Sequence, residues 1–271
     1  MENSLIHQLQ SLLNANVEND AYRNIAQYLL KNIYNDKIME NLSINDLADA
    51  CFTSPSTVSR FSRNIGYKNF FELKSKCLNQ RMSGLALIND NLVNLEFDFN
   101  NDQRILTDYN TIIQESMNDL INNLDFKEID EFLELVYLAN NIILYAIQLP
   151  GLFARYLQFI LLSLGKYVEF YDLESKQFEA SKQINEDSLS VIISVDGNYI
   201  RSNADILYNL KETGTKIILI TQNHNINISD MFNKILYLGN FTNSKGGRYK
   251  LQMFIEILVN RYYLKYIKDK K

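Results

Sequence analysis

Apolar residues recur at helical spacing in the first part of the chain, whereas short apolar runs alternate with helical segments in the second part. The first pattern predicts helices over 1–16, 20–34 and 70–82, besides two shorter helices within 42–65. The second pattern predicts a five-stranded parallel sheet covered by helices on both faces, because strands buried on both faces read as continuous apolar runs. We therefore expect an α domain joined to an α/β domain.

The α/β domain is predicted in detail from its alternating segments. The predicted strands are 142–147, 167–171, 189–195, 217–221 and 235–238. The helices predicted around them are 108–123, 127–138, 151–164, 174–184, 200–213, 229–233 and 248–267. Gly165 and Gly214 each stand just before a strand, where glycine commonly ends a helix. Residues 83–107 lack strong periodicity, so we interpret them as a linker between the two domains.

The stretch 42–73 predicts two short helices joined by a tight corner. Ser43 precedes the first helix as a capping hydroxyl. Ser54 is expected to cap the second helix, and Pro55 stands at its first position, where no amide hydrogen bond is lost. Gly66 is expected to end the second helix in the left-handed conformation.

The second of these helices has an outward polar surface opposite a buried stripe of Val58, Phe61 and Ile65. Short hydroxyl side chains allow a close approach to the major groove of DNA, and arginine reaches guanine edges or phosphates. The residues predicted to contact DNA are Ser54, Ser56, Thr57, Ser59, Arg60, Arg63, Lys68 and Lys74. Those on the helix are expected to face the groove, with Lys68 and Lys74 nearer the phosphates.

Charge supports this interpretation locally rather than globally. Between Ser54 and Arg81 there are six basic residues and one acid, in a chain whose net charge is -5. DNA contact is therefore expected from a local patch and not from an overall positive field. The alternative is that the corner is only a packing motif whose basic residues form a solvated face.

These residues resemble the N-terminal domain of the RpiR-type bacterial transcription regulators. The matching motif is Ser43-Ile44-x-x-Leu47-Ala48, then Ser54-Pro55-Ser56-Thr57-Val58-Ser59-Arg60-Phe61-x-Arg63-x-Ile65-Gly66-Tyr67-x-x-Phe70-x-Glu72-Leu73-Lys74. The resemblance implies a helix-turn-helix DNA-binding domain over 1–82. After the linker 83–107, it implies a sugar-isomerase (SIS) domain over 108–271 that binds a phosphosugar effector and forms dimers.

Ligands of a parallel sheet bind at the carboxyl ends of its strands, where loops meet helix N-termini. Three loops at predicted strand ends are therefore candidates for effector binding. The residues predicted to bind an effector are Gln148, Gly151, Ser194, Asp196, Gly197, Asn198 and Asn223.

Two of these loops depart from the pattern of the RpiR-type family. After its first strand the family has a glycine-rich loop with a serine, where this chain has Gln148-Leu149-Pro150-Gly151. After its third strand the family has Ser-x-Ser-Gly-x-Thr, of which this chain keeps Ser194 and Gly197. Asp196 and Tyr199 occupy the second serine and the threonine positions.

A carboxylate at that point repels phosphate. We therefore predict that common sugar phosphates bind weakly or not at all and that any ligand is neutral or cationic. The alternative is a sheet that serves mainly dimerisation.

Composition excludes several other classes of protein. With two His and two Cys in 271 residues, neither a metal cluster nor a disulfide framework is expected, and no cofactor is assigned. The chain has no apolar run as long as a membrane span, and its first residues lack the features of a signal peptide. We expect a cytoplasmic protein without membrane contact.

The leading hypothesis is a transcription regulator of the RpiR type that controls genes of carbohydrate or amino-sugar metabolism. Its expected partners are double-stranded operator DNA, a sugar-derivative effector, and further copies of the chain as a homodimer or dimer of dimers. The apolar residues of the last helix motivate the dimer, and the alternative is that this stripe serves the core of its own domain. These residues are Leu251, Phe254, Ile255, Leu258, Tyr262 and Tyr263.

Two other hypotheses compete with this one. The first is an enzyme similar to a phosphosugar isomerase, with Glu179, Glu186 and His224 as the candidate general bases. No phosphate-binding loop stands beside them, so no catalytic residue is assigned. The second is an interaction protein that does not bind DNA, which leaves the Arg60 and Arg63 surface unexplained.

Overall fold

The computed structural model describes residues 5–14, 20–79, 102–240 and 246–268. The chain divides into two compact units, Glu2–Asn89 and Asp90–Lys271. Most of the predicted linker 83–107 lies outside the described residues. Its last part is helical, since the first described helix of the C-terminal unit begins at Asp102 rather than at the predicted position 108.

The described part of the N-terminal unit is helical. Its helices are α1 (Leu5–Asn14), α2 (Asp20–Asn32), α3 (Asp36–Asn41), α4 (Ile44–Ala50), α5 (Pro55–Asn64) and α6 (Phe70–Leu78). The sequence analysis missed α3, which is capped by the Asn35 side chain and buries only Met39. A single buried residue gives no periodicity to detect. The predicted helix ends at 1–4, 15–16 and 80–82 lie outside the described residues.

Helices α4 and α5 form the predicted helix-turn-helix. Val58, Phe61 and Ile65 of α5 are buried, as the stripe predicted. The Phe61 ring packs edge-on against Tyr22 of α2, with 5.4 Å between the ring centres. Helices α2, α4 and α6 all contact α5, so its inner face is enclosed and its outer face is left to solvent.

The C-terminal unit is an α/β structure. Its elements are α7 (Asp102–Asn123), α8 (Phe126–Leu138), β1 (Asn141–Tyr145), α9 (Gln148–Ser163), β2 (Glu169–Phe170), α10 (Glu174–Gln183), β3 (Ser188–Ile193), α11 (Asn198–Ser202), α12 (Ala204–Glu212), β4 (Lys216–Thr221), β5 (Lys234–Tyr237) and α13 (Gly247–Tyr266). A short 3-10 turn at Ser229–Met231 replaces the predicted helix 229–233. The single helix predicted over 200–213 is two helices that meet at Asn203.

All five strands pair in parallel, in the order β2-β1-β3-β4-β5. One face of the sheet packs against α7, α8, α9 and α13. The other face packs against α10, α11 and α12. The prediction of a five-stranded parallel sheet with helices on both faces is confirmed. None of the helices in the described ranges combines the length and apolar character needed to cross a membrane.

Helix α13 completes the core of its own unit. Five of the six residues that motivated a dimer contact are at most 2% exposed within this single chain: Leu251, Phe254, Ile255, Leu258 and Tyr262. The apolar stripe of α13 therefore covers the sheet of its own domain, and it gives no support to a dimer contact on this helix. Two ion pairs fasten α13 to earlier helices, from Lys250 to Asp119 of α7 and from Arg261 to Asp130 of α8.

Candidate nucleic-acid interface and effector loops

The two helices of the helix-turn-helix are held by local caps. Ser43 and Asp46 form a reciprocal capping box at the start of α4, with each side chain bonded to the other's backbone N–H. The hydrogen bond from Ser43 lowers the pKa of the exposed Asp46 carboxyl. Ser54 caps α5 by accepting from the Thr57 amide at 3.2 Å, with Pro55 at the first turn. The predicted caps of both helices are confirmed.

The outer surface of α5 presents hydroxyl groups and two guanidinium groups. The Ser54 hydroxyl oxygen lies 2.8 Å from that of Ser56 and 3.0 Å from that of Thr57. Arg60 is exposed and donates to the Thr57 hydroxyl at 3.3 Å, one helical turn earlier. Arg63 is also exposed and donates to the Ser59 carbonyl at 3.4 Å. These long bonds within one helix leave both arginines able to reorient toward a partner.

The two lysines of the predicted set differ in their surroundings. Lys68 is exposed, and its backbone amide is bonded to the Glu72 carboxylate at 2.6 Å. The Lys74 ammonium donates to the Glu40 carbonyl at 2.8 Å, in the last turn of α3. A cation at this place stabilises the helix end. Lys74 thus has a structural role that sequence analysis did not assign, beside its predicted contact with phosphate.

The three segments predicted as effector loops lie at the same end of the sheet, because all five strands run in the same direction and each segment follows the carboxyl end of its strand. Ser194 is buried, and its hydroxyl accepts from the Tyr199 amide at 3.1 Å. Gly197 has φ +80, and a Cβ there would lie 2.7 Å from the side-chain nitrogen Nδ2 of Asn223. Asn198 accepts a hydrogen bond from Arg201, which also donates to the Asp196 carbonyl at 3.2 Å. The loops after β3 and β4 therefore contact each other.

Asp196 is enclosed by these loops. Gln222 donates to its carboxylate at 2.6 Å. Burial raises the pKa of Asp196, while the Gln222 hydrogen bond and the cations Arg201 and Lys250 lower it. A Cβ at Gly247, the first residue of α13, would lie 2.7 Å from the side-chain nitrogen Nε2 of Gln222. Gln222 is thus held between Asp196 and the start of α13.

The segment Gln148-Leu149-Pro150-Gly151, predicted as a loop after β1, is instead the first turn of α9, which begins directly after the N-cap residue Ile147. Gln148 has φ +56, an uncommon conformation for a residue other than glycine. Gly151 is buried, and a Cβ there would lie 3.5 Å from the Phe170 ring. Its amide is bonded to the Ile147 carbonyl at 3.3 Å. The Gly151 amide therefore already has a partner at the N-cap of α9, and glycine serves packing at this position.

Sequence analysis missed a buried hydrogen-bond network below the β3 loop. The Tyr199 hydroxyl donates to Gln177 of α10 at 2.7 Å. Gln177 in turn donates to the carbonyls of Ala146 at 2.8 Å and Tyr171 at 2.6 Å. Burial raises the pKa of Tyr199 well above its usual value. Tyr199, at the family's threonine position, is therefore an interior residue. Its hydrogen-bond network connects the carboxyl ends of β1, β2 and β3.

The three candidate general bases have different partners or positions in the structure. Glu179 is an exposed residue of α10 that pairs with Lys182 at 3.5 Å. Glu186 lies before β3, whereas Ser194 follows it, so the two residues are at opposite ends of the same strand. The His224 ring stacks on Tyr237, and its Nε2 lies 2.9 Å from the Gly239 carbonyl oxygen.

Fold and surfaces together define a protein with a helix-turn-helix unit and a parallel α/β unit. The family "helix-turn-helix domain, rpiR family" matches residues 4–84, and the SIS domain family matches residues 135–255. The chain belongs to the RpiR-type transcription regulators.

Two relatives are HTH-type transcriptional regulators of uncharacterized function. The one from Caldanaerobacter subterraneus subsp. tengcongensis is 48% identical over 52 residues, which is 19% of this chain and 17% of that protein. The one from Providencia stuartii is 23% identical over 222 residues, or 81% of this chain and 74% of that protein.

Solved structures resemble the fold at low sequence identity. The NanR protein of Vibrio vulnificus, complexed with ManNAc-6P, has a TM-score of 0.52 and 18% identity, covering 97% of this chain and 92% of that one. Phosphoheptose isomerase GmhA of Neisseria gonorrhoeae has a TM-score of 0.50 and 12% identity, covering 59% of this chain and 98% of that one. The SIS fold thus occurs in a protein named as an isomerase, so the fold alone does not decide between regulator and enzyme.

Proposed function

We propose that this protein regulates transcription in the cytoplasm by reading operator DNA with the outer surface of α5 and that it is not an enzyme. The observation that supports this most is the pair Arg60 and Arg63, exposed on a capped helix beside short hydroxyl side chains. Two observations speak against an isomerase site: Glu186 lies at the opposite end of β3 from Ser194, and Glu179 pairs with Lys182 on the exposed side of α10. The ManNAc-6P complex of the Vibrio protein supports target genes of carbohydrate or amino-sugar metabolism.

Selection of bound sequences from genomic DNA tests this proposal. The wild-type protein is expected to enrich a defined site. Arg60→Ala is expected to weaken binding to that site by about 1–3 kcal/mol and to relax the base preference, because arginine reads guanine. Lys68→Ala is the matched control, which should weaken binding to all sequences alike. If no site is enriched, or if neither variant alters binding, the proposed function is wrong.

For the effector, we propose that the loops after β3 and β4 exclude phosphosugars. The Asp196 carboxylate adds negative charge where the family has a serine, and Tyr199 is committed to its bond with Gln177. A ligand of this site would be neutral or cationic and would contact Gln148, Ser194, Asp196, Asn198 and Asn223. The alternative retained from the sequence is a unit that serves dimerisation alone.

Thermal unfolding with millimolar hexose, pentose and amino-sugar phosphates tests this exclusion, because a ligand of the folded state raises the melting temperature. The wild-type protein is expected to show no shift. Asp196→Ser and the double variant Asp196→Ser/Tyr199→Thr restore the family pattern and are expected to gain a shift. A clear shift of the wild-type protein that is lost in Ser194→Phe would show that the family's site still operates.

We further propose that the protein dimerises through α9, since paired reading heads recognise paired half-sites. The apolar side chains Leu152, Tyr156 and Phe159 are exposed on one face of α9. A second copy related by two-fold symmetry would bury the same stripe on both chains. Light scattering on the full chain is expected to give a dimer and, for Phe159→Glu, a monomer. Tyr263→Glu on α13 is the control and should leave the dimer intact.

A further inference from the structure

The corner between α4 and α5 contains an unusual residue, Phe52. Its backbone is left-handed, with φ +51, and its side chain is 95% exposed. A bulky side chain at positive φ is a conformational outlier, since Cβ then clashes with the backbone. Phe52 therefore combines backbone strain with a fully hydrated aromatic ring.

The hydrogen bonds of this corner define the helix ending that requires positive φ. The Phe52 amide donates to the Asp49 carbonyl at 3.2 Å, and the Thr53 amide donates to the Ala48 carbonyl at 2.9 Å. This pair of bonds is the Schellman motif, in which glycine is the usual left-handed residue.

The same chain uses glycine when it builds this motif elsewhere. At the end of α5, the Gly66 amide bonds to Arg63 and the Tyr67 amide bonds to Ser62. At the end of α9, the Gly165 amide bonds to Leu162 and the following amide bonds to Leu161. Gly66 and Gly165 have φ +93 and +81. Helix termination alone would thus favour glycine at position 52, and the ring contributes nothing to the core.

The position of Phe52 suggests what the ring contacts. It lies two residues before Ser54, the cap of the proposed reading helix. Reading helices contact base edges mainly with their N-terminal residues, so this corner is at the leading end of α5. The hydroxyls of Ser54 and Ser56 offer polar contacts there. An adjacent apolar ring suits the one apolar group in the major groove, the C5-methyl of thymine.

We propose that Phe52 is a DNA-contacting residue that packs against a thymine methyl group at the edge of the operator half-site. The proposal rests on the proposed function of α5. It adds a base preference that the arginines and hydroxyls do not supply, and it gives a reason for the strained aromatic residue.

The test uses the full chain and a selected operator. Phe52→Gly fits the left-handed backbone, so its melting temperature should equal or exceed that of the wild-type protein. Its affinity for the operator is expected to fall by roughly three- to tenfold, as for the loss of a small apolar contact. Tyr34→Ala, which removes an exposed aromatic from another turn of the same unit, is the matched control and should bind normally.

Uracil substitution then locates the contact. Replacing thymine by uracil, one position at a time, removes only the methyl group. At one position per half-site, uracil is expected to lower the affinity of the wild-type protein by the same factor as the Phe52→Gly substitution does. The affinity of the Phe52→Gly variant should not change with uracil at that position.

Three outcomes overturn the proposal or its basis. Unchanged affinity of Phe52→Gly means that the ring does not contact DNA, while an effect of Arg60→Ala would keep the proposed function intact. Weaker binding without a coupled uracil position assigns the ring to the sugar–phosphate backbone and rejects the thymine contact. If the wild-type protein selects no operator, the proposed function itself fails.

Discussion

The surface of α5 and the loops after β3 and β4 carry similar polar residues, but the structure uses them in opposite ways. Arg60 and Arg63 make only long bonds to their own helix in the contacts described for them. Asp196, by contrast, accepts a short bond from Gln222, and Ser194 accepts from the Tyr199 amide. One surface keeps polar groups turned to solvent, whereas the loops bond theirs to each other.

This difference separates a surface available to a macromolecule from a site filled by its own side chains. A polar group that is already bonded inside the protein must lose that bond before it binds a ligand, and the loss offsets the gain. Exposed groups exchange only bonds with water.

The largest effect is expected from breaking the buried ion pair of the C-terminal unit. Lys250 is fully buried, and its ammonium lies 2.5 Å from the Asp119 carboxylate. Lys250→Met leaves that carboxylate without its cation and should lower the free energy of unfolding by about 3–5 kcal/mol. Urea denaturation measures the loss. The double variant Asp119→Leu/Lys250→Met should recover part of this stability, because it removes both charges. A loss below about 1 kcal/mol for the single variant would mean that water reaches the Asp119 carboxylate and that the ion pair is not buried.

A smaller effect is expected at the start of α5. Ser54→Ala removes the hydroxyl that accepts from the Thr57 amide and should cost about 1 kcal/mol of stability, whereas Ser54→Gly should cost a few tenths. Ser56→Ala is the control, because its described bond is to the Ser54 hydroxyl and not to a helix amide. Equal losses for Ser54→Ala and Ser56→Ala would contradict the assignment of Ser54 as the cap.

A pH-dependent effect is expected at Asp196. Its folded pKa is raised above the ordinary value of 3.8, mainly by burial. The folded state therefore binds more protons than the unfolded state, and stability falls as pH rises from about 3.8 through the folded pKa. Asp196→Asn should remove this fall and be more stable than the wild-type protein at pH 7. Urea denaturation between pH 4 and 7 decides, and a constant difference across that range would refute the burial effect.

The smallest effect, of opposite sign, is expected at Asp46 in the N-terminal unit. Hydrogen bonding by Ser43 lowers its folded pKa below 3.8. Its contribution to stability is therefore present above the unfolded pKa and is lost as pH falls through the folded pKa. Asp46→Asn should be slightly less stable than the wild-type protein at pH 7, and urea denaturation should show this difference shrinking as the pH falls below 3.8. Measurable stabilisation by this variant at pH 7 would contradict the capping box.

The contrast between the two regions also explains what could be predicted from sequence. The capping bonds of α5 join residues three positions apart, so Ser54, Pro55 and Gly66 mark the start and the end of the helix in the local sequence. The Tyr199–Gln177 bond and the Gln177–Ala146 bond span 22 and 31 positions. No local pattern reveals such partners. Sequence comparison with the family flagged Tyr199 as unusual, but only the fold shows where its hydroxyl goes.

The apolar stripes of α13 and α9 show what the sequence cannot decide. For α13 the sequence leaves open a dimer contact or a core position, because it cannot tell a helix that covers a sheet from one that meets another subunit. For α9 it does not reveal an exposed stripe, because Leu152, Tyr156 and Phe159 alternate with residues of the same helix that are buried, such as Ala154 and Leu157. Periodicity identifies an apolar helix but does not tell which of its faces the rest of the chain covers.

The two ion pairs that fasten α13 have a consequence for the order of events during synthesis. Lys250 and Arg261 each bind a partner 131 positions earlier in the chain. The C-terminal unit therefore cannot complete its packing until nearly the whole chain has been made. The N-terminal unit is finished much sooner, with a lead on the order of ten seconds or more at ordinary rates of translation. We expect a nascent chain to carry a folded DNA-reading head while its regulatory unit is still incomplete.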